Sequence, residues 1–197
     1  MISRATLRKQ LRQKRRSLSA SQQQRAARNL YHQLVQQPCF YRAKHIALYL
    51  ANDGEISPEY LINSARKQRK LIYLPVLERW PKQQMSFQRI EANTPLIPNK
   101  FGILEPKKDL KKQRKPWALD LILLPLVGFD YQGNRLGMGG GFYDRCLAYQ
   151  YRRNHWNKPI LLGLAHHNQQ VDHLPVQSWD IPLDAIATDL QFINVKP

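Results

Sequence analysis

Apolar positions recur along the chain with two periods, and each period predicts its own kind of element. Near the start, Leu7 and Leu11 stand four apart, while Arg4, Arg8 and Arg12 fall on another face of the same turn spacing. A basic helix over about residues 3–18 is expected, with a narrow apolar stripe and a solvated cationic face. Ser19 and Gln22 have capping-box spacing, and Ala26, Ala27, Leu30, Tyr31 and Leu34 extend a second helical stripe as far as Pro38. Residues 45–51 then read as a first strand, Asn52-Asp53-Gly54-Glu55 as the turn at its carboxyl end, and Ser57 and Pro58 as N-cap and first residue of a helix reaching about Gln68. With a second apolar strand at 71–77 this makes a βαβ unit, whose crossover implies parallel pairing.

Residues 85–91 suggest a short strand, and the proline-punctuated stretch 94–106 reads as loop. Residues 107–115 carry six basic side chains and one acid, so they read as an exposed, mobile loop. Residues 121–127 form an apolar run without alternation, the mark of a strand covered on both faces. A glycine-dense turn and a helix over about 142–152 follow, then a buried strand at 160–165 ending at His166-His167, and late strands at 185–188 and 190–195. Strands and helices alternate throughout, so the expected class is α/β with a mainly parallel central sheet and helices on both faces.

The length of 197 residues and 43% hydrophobic content suit a single domain spanning 1–197. No apolar run reaches spanning length and no signal-like apolar core is seen, so a cytoplasmic protein without a membrane partner is expected. Cys39 and Cys146 have no metal-ligand spacing and read as free thiols without a role. The net charge of +17 points to an anionic partner, whether nucleic acid, an acidic lipid surface or a polyanionic small molecule, without choosing among them.

Candidate chemistry concentrates where glycine does. Gly137, Gly139, Gly140 and Gly141 place four of the nine glycines within five positions, directly before Phe142-Tyr143-Asp144-Arg145. Such a run lets backbone N–H groups face a phosphate closely, although a tight strand-to-helix turn without ligand explains a glycine cluster equally well. The P-loop pattern is absent, Phe142 breaks the dinucleotide fingerprint, and no serine sits in a nucleophile elbow. What remains is Arg135-Leu136-Gly137-Met138-Gly139-Gly140-Gly141-Phe142-Tyr143-Asp144-Arg145. Together with the basic N-terminal helix, Gly54-Glu55, Phe101-Gly102-Ile103 followed by Glu105-Pro106, and Trp179-Asp180-Ile181-Pro182, it resembles the 5-formyltetrahydrofolate cyclo-ligase (methenyltetrahydrofolate synthetase) family over nearly the whole chain.

The resemblance implies a single-domain, three-layer fold of the NagB/RpiA/CoA-transferase-like type, and an ATP- and Mg2+-dependent cyclisation of 5-formyltetrahydrofolate to 5,10-methenyltetrahydrofolate, with ADP and phosphate released. By matched position it assigns Arg4, Arg8, Arg135, Leu136, the loop Gly137, Met138, Gly139, Gly140 and Gly141, Phe142 and Tyr143 to ATP. Leu50, Glu55 and Phe101, with Met138, Gly139, Gly140, Gly141 and Phe142, are assigned to folate. Glu55, Arg135 and Tyr143 carry the catalysis, and Asp144 and Asp180 the magnesium. Phe142 stands where the family usually has tyrosine, and Arg4 where lysine is frequent, which keeps charge but alters hydrogen-bond geometry. Natural folates carry polyglutamate tails, which a cationic flap at 107–115 would attract; a monomer is expected. The alternative reading is a basic nucleic-acid-binding protein using the N-terminal helix and the 107–115 run. His166 and His167 read as strand-end histidines without a catalytic partner.

Overall fold

In the computed structural model, which describes residues 3–78, 84–152 and 159–195, the chain opens with helices α1 (Arg4–Arg16), α2 (Ala20–Leu34) and the short α3 (Pro38–Tyr41). Strand β1 (His45–Ala47), helix α4 (Glu59–Lys67), β2 (Leu71–Leu77) and β3 (Met85–Ile90) follow, then β4 (Leu96–Pro98), β5 (Leu104–Pro106), β6 (Gln113–Arg114) and β7 (Leu121–Pro125). The chain continues through β8 (Gly128–Phe129), β9 (Arg135–Leu136), α5 (Phe142–Leu147), β10 (Ile160–Leu164), β11 (Ala185–Ala187) and β12 (Phe192–Asn194). One sheet in the order β12-β11-β10-β7-β1-β2-β3-β6 crosses the molecule. Its five central strands are mutually parallel, and β3 and β12 run against their neighbours.

The missing alternation in β7 has a direct cause. Leu121 and Leu123 face a layer formed by Leu30, Leu34, Phe40, Leu61 and Ala65 of α2, α3 and α4. Ile122 and Leu124 face the opposite layer, where Leu147 of α5 packs with Phe129, Leu183 and Ile186. Each such leucine is fully buried, worth roughly 1.5–3 kcal/mol of transfer free energy. Ser19 and Gln22 form the expected capping box at the start of α2. Among the described residues no helix is long and apolar enough to cross a membrane.

Four expectations are corrected. The β1 ladder ends at Ala47, and although Leu48 N still reaches Tyr73 O at 3.0 Å, residues 48–50 leave regular pairing. Helix α4 starts at Glu59 with Pro58 as N-cap, and Ser57 Oγ accepts only a 3.3 Å bond from Glu59 N. The stretch 94–106 is a hairpin, not a loop: β4 and β5 pair antiparallel, with Pro98 and Pro106 tolerated in a ribbon that has free edges. The basic run 107–115 is largely exposed, as expected, but it is tied to the sheet and not a free loop. The buried Gln88 side chain donates to Lys107 O (2.7 Å) and accepts from Asp109 N (2.7 Å), Lys108 pairs with Glu78, and β6 adds to the sheet edge.

A third apolar cluster sets the site. Leu7 and Leu11 of α1 pack on Val127, Leu136, Leu174 and Val171, laying α1 across the carboxyl end of β7. The approach is so close that a Cβ on Gly128 would stand 2.4 Å from Leu11 Cδ1, so a side chain there would have to displace the Leu11 methyl. The apolar stripe is as expected; the solvated cationic face is not.

Candidate active site

Successive turns of α1 hold different loops through arginines. Arg4 grips Asp180 with both guanidinium ends, Nη2 at 3.1 Å from Oδ1, and also donates to Pro175 O. Arg8 Nε donates to Gly137 O at 2.8 Å. Arg12 Nε meets Asp53 Oδ2 at 2.8 Å, Arg16 pairs with Asp53 Oδ1, and the fully buried Arg15 reaches Asp53 Oδ2 (2.7 Å), Asp53 O (2.9 Å) and Leu126 O (3.1 Å). Thus one helix draws together the turn after β1, the glycine loop before α5, and the segment 175–180. In open α/β sheets this carboxyl end of the strands is where ligands sit.

The turn after β1 is strained into place. Asp53 and Gly54 both have positive φ, 54° and 76°, and a Cβ on Gly54 would lie 3.1 Å from Arg15 O. Burial works to raise the Asp53 carboxyl, but hydrogen bonds from Arg12, Arg15 and Arg16 outweigh it and hold the group well below the usual carboxylate range. Glu55 behaves oppositely. Burial pushes it up to about 7, against the pull of Arg15, whose Nη2 lies 3.7 Å from Oε1, and of the Asn52 N–H that donates to Oε2 at 3.1 Å. Two acids two residues apart therefore differ in kind: Asp53 is a fixed anion, while Glu55 can exchange a proton near neutrality.

The glycine loop closes the opposite wall. Gly139 and Gly141 have φ of +95° and +61°, the second as N-cap of α5, which explains why glycine is required at both. The Arg8 guanidinium packs beside Gly139, 3.5 Å from where its Cβ would stand. Burial lowers Arg8 from its ordinary value, and repulsion from Arg4 and Arg12 adds to it, so an incoming anion would relieve strain in this cluster. Arg135 is buried between Asp144 Oδ1 and Ile181 O, and burial lowers it while Asp144 opposes the shift. Tyr143 is raised well above its ordinary value by burial and then by Glu55, so it stays a neutral hydroxyl.

The expected site residues fall into four groups. Arg4, Arg8, Arg135, Gly137, Gly139, Gly140, Gly141 and Tyr143 line the loop side, with Leu136 buried beneath it and Met138 exposed above, its Sδ 3.8 Å from Arg15 Nη2. Glu55 shares the field of Tyr143, and Leu50 packs on the core at the same strand end. Phe101, 56% exposed at the hairpin tip, meets Phe142 edge-to-face at 6.0 Å. Asp144 and Asp180 both act on Arg135, but each is ion-paired, and Arg4 and Gln177 N occupy both oxygens of Asp180. Among the described residues no three metal-ligating groups cluster. The pair fits only a hard cation that brings phosphate and water as its other ligands, with Asp144 the more available.

Sequence reading missed Arg12, Arg15 and Asp53. The signal was present as three arginines at 12, 15 and 16, spaced for one or two helix faces, but their shared partner Asp53 lies 37 to 41 residues away. His166 is a buried strand-end residue whose Nε2 lies 3.2 Å from Gly54 O, and burial lowers it; His167 N donates to Asp189.

Comparison with known proteins adds a second line. The model of the 5-formyltetrahydrofolate cyclo-ligase family matches residues 1–189. The chain is 43% identical over 181 residues to the 5-formyltetrahydrofolate cyclo-ligase of Haemophilus influenzae, covering 91% of this chain and 94% of that one. It is 38% identical over 178 residues to the Escherichia coli protein of the same name, covering 90% and 96%. Among solved structures it is similar to the NMR structure of Aquifex aeolicus 5,10-methenyltetrahydrofolate synthetase, with a TM-score of 0.83, 30% identity, and coverage of 100% and 94%.

Proposed function

The chain belongs to the 5-formyltetrahydrofolate cyclo-ligase family, and from that premise we propose that it converts 5-formyltetrahydrofolate, ATP and Mg2+ into 5,10-methenyltetrahydrofolate, ADP and phosphate. The supporting observation is the convergence of one proton-exchanging carboxylate, Glu55, with a glycine loop and a crowded arginine face, all held by α1.

The chemical problem defines what the residues must do. A formyl group on N5 is amide-like and a poor electrophile, and its oxygen is a poor leaving group. ATP supplies the phosphoryl group that turns this oxygen into one. Arg4, Arg8 and Arg135 and the backbone of Gly137–Gly141 hold the phosphates and offset their charge, and Asp144 holds the magnesium together with them; positioning and electrostatics carry such transfers. Phe101, Phe142, Leu50 and Met138 cover the folate and exclude water. The N10 lone pair then attacks the formyl carbon, and phosphate departs with the electrons of the C–O bond. The N10 proton passes to the Glu55 carboxylate, which the value near 7 suits for a base at neutral pH. Tyr143, neutral, donates a hydrogen bond to the departing oxygen.

The test is direct. Purified protein should produce the ultraviolet-absorbing methenyl chromophore from 5-formyltetrahydrofolate only when ATP and magnesium are both present, and Glu55→Gln should suppress it. No chromophore from the wild-type protein would overturn the reading. The family match favours this reading over the nucleic-acid alternative.

A further inference from the structure

The hairpin tip between β4 and β5 carries a cation whose position the reaction chemistry leaves unexplained. Lys100 Nζ lies 5.1 Å from the centroid of Phe101 and 5.9 Å from that of Phe142, over an edge-to-face aromatic pair. The tip is built, not slack. Asn99 Oδ1 accepts from Phe101 N (2.9 Å) and Ile103 N (3.2 Å), Gly102 takes φ +73°, and Asn99 Nδ2 donates to Glu105 Oε2, which also accepts from Leu77 N. Glu105 is thus used by the hairpin and the sheet. Among the described residues no carboxylate lies within ion-pair distance of Lys100, whereas Lys108, Arg89 and Arg135 each have one.

We propose that Lys100 binds the α-carboxylate of the substrate's glutamyl tail and so makes the site prefer a tailed, anionic folate. The inference rests on the folate reading of Phe101 and Phe142. An aminobenzoyl ring against Phe101 carries its α-carboxylate carbon four bonds beyond the ring, roughly 5 Å at standard bond lengths, and Lys100, with its Nζ 5.1 Å from the Phe101 centroid, is the cation beside that ring. A cation over aromatic faces keeps part of its attraction there and remains free to accept an anion from solvent. The basic run 107–115, tied to Gln88 and with Lys108 already paired to Glu78, is the poorer candidate for this contact.

The experiment compares KM for 5-formyltetrahydrofolate with KM for its glutamyl dimethyl ester, whose tail has the same length but no charge. The wild-type protein should favour the free acid, and Lys100→Gln should cut that preference by about threefold to tenfold, with Lys100→Glu cutting it further. Added salt should erode the wild-type preference in the same direction. Equal effects of Lys100→Gln on both substrates, or no effect on either, would overturn the inference. So would a collapse of preference in Lys111→Gln/Lys112→Gln that Lys100→Gln does not reproduce. Phe101→Ala separates the two layers of the argument: it should raise KM for both substrates. If Phe101→Ala leaves both unchanged, the folate platform itself falls and takes this inference with it.

Discussion

Arg15 Nη2 stands 3.7 Å from Glu55 Oε1 while keeping no exposed surface of its own, so a buried cation opposes the upward shift that burial imposes on the proposed base. Replacing Arg15 by methionine keeps the volume and removes the opposition. The acid limb of kcat/KM should then move above pH 7, because Glu55 gains its proton more readily. The fold should also weaken by about 1–3 kcal/mol, since Asp53 O and Leu126 O lose a buried donor while Arg12 and Arg16 still pair with the Asp53 carboxylate. A pH–rate profile with urea denaturation reads both. An unmoved limb in a folded Arg15→Met protein would detach Arg15 from Glu55.

Glu55 links activity and stability with opposite signs. As a base it works deprotonated, so kcat/KM should rise with pH through about 7 and level off above. Its folded value lies above the ordinary 4.5, so between those values the folded state binds more protons than the unfolded one. Its contribution to stability is therefore full below about 4.5 and declines as pH rises to about 7. Glu55→Gln should cost about 10²–10⁴ in kcat yet make the protein more stable at pH 8, on the order of 2 kcal/mol, with little change at pH 5. Urea midpoints at the two pH values check the second claim; a Gln variant less stable at pH 8 would refute it.

The glycine loop offers a matched pair. Gly139 has φ +95°, so Gly139→Ala should destabilise the loop by about 1–2 kcal/mol through backbone strain, and raise KM for ATP. Gly137 has no atom within 4 Å of its Cβ position and no positive φ, so Gly137→Ala should fold with an unchanged Tm. If the loop cradles phosphate, that methyl still intrudes on the ligand, and KM for ATP rises in the stable variant too. An unaltered KM for ATP in Gly137→Ala would argue for a structural turn.

Legibility in the sequence followed the range of the interactions. The unbroken apolar run of β7 announced two covered faces, and the Ser19–Gln22 box announced α2, because both signals are complete within a few residues. The glycine loop was legible for the same reason. The β4–β5 hairpin hid behind its own prolines, and the anchoring of 107–115 depends on the Gln88 side chain from another strand. Arg15 is the instructive case. Nothing local separates it from Arg16, yet one is fully buried and the other is exposed, because only Arg15 points at Asp53, Leu126 and Glu55 together. Asp53 went unnoticed because its three arginines come from an element folded back from 37 to 41 residues earlier.

Asp144 and Asp180 should separate by their partners. Asp144 presents one oxygen to Arg135 and lies beside the glycine loop, so Asp144→Asn should raise the magnesium concentration needed for half-maximal activity. It also removes the counter-charge of a buried guanidinium, and a loss of about 2–4 kcal/mol in stability should accompany it. Asp180 gives both oxygens to Arg4, so Asp180→Asn should free that arginine and raise KM for ATP while leaving the magnesium requirement near the wild-type value. Activity titrated against magnesium at saturating ATP, and against ATP at saturating magnesium, distinguishes them. If Asp180→Asn shifts the magnesium curve as far as Asp144→Asn does, both carboxylates serve the metal, and Arg4 must release Asp180 when the nucleotide binds.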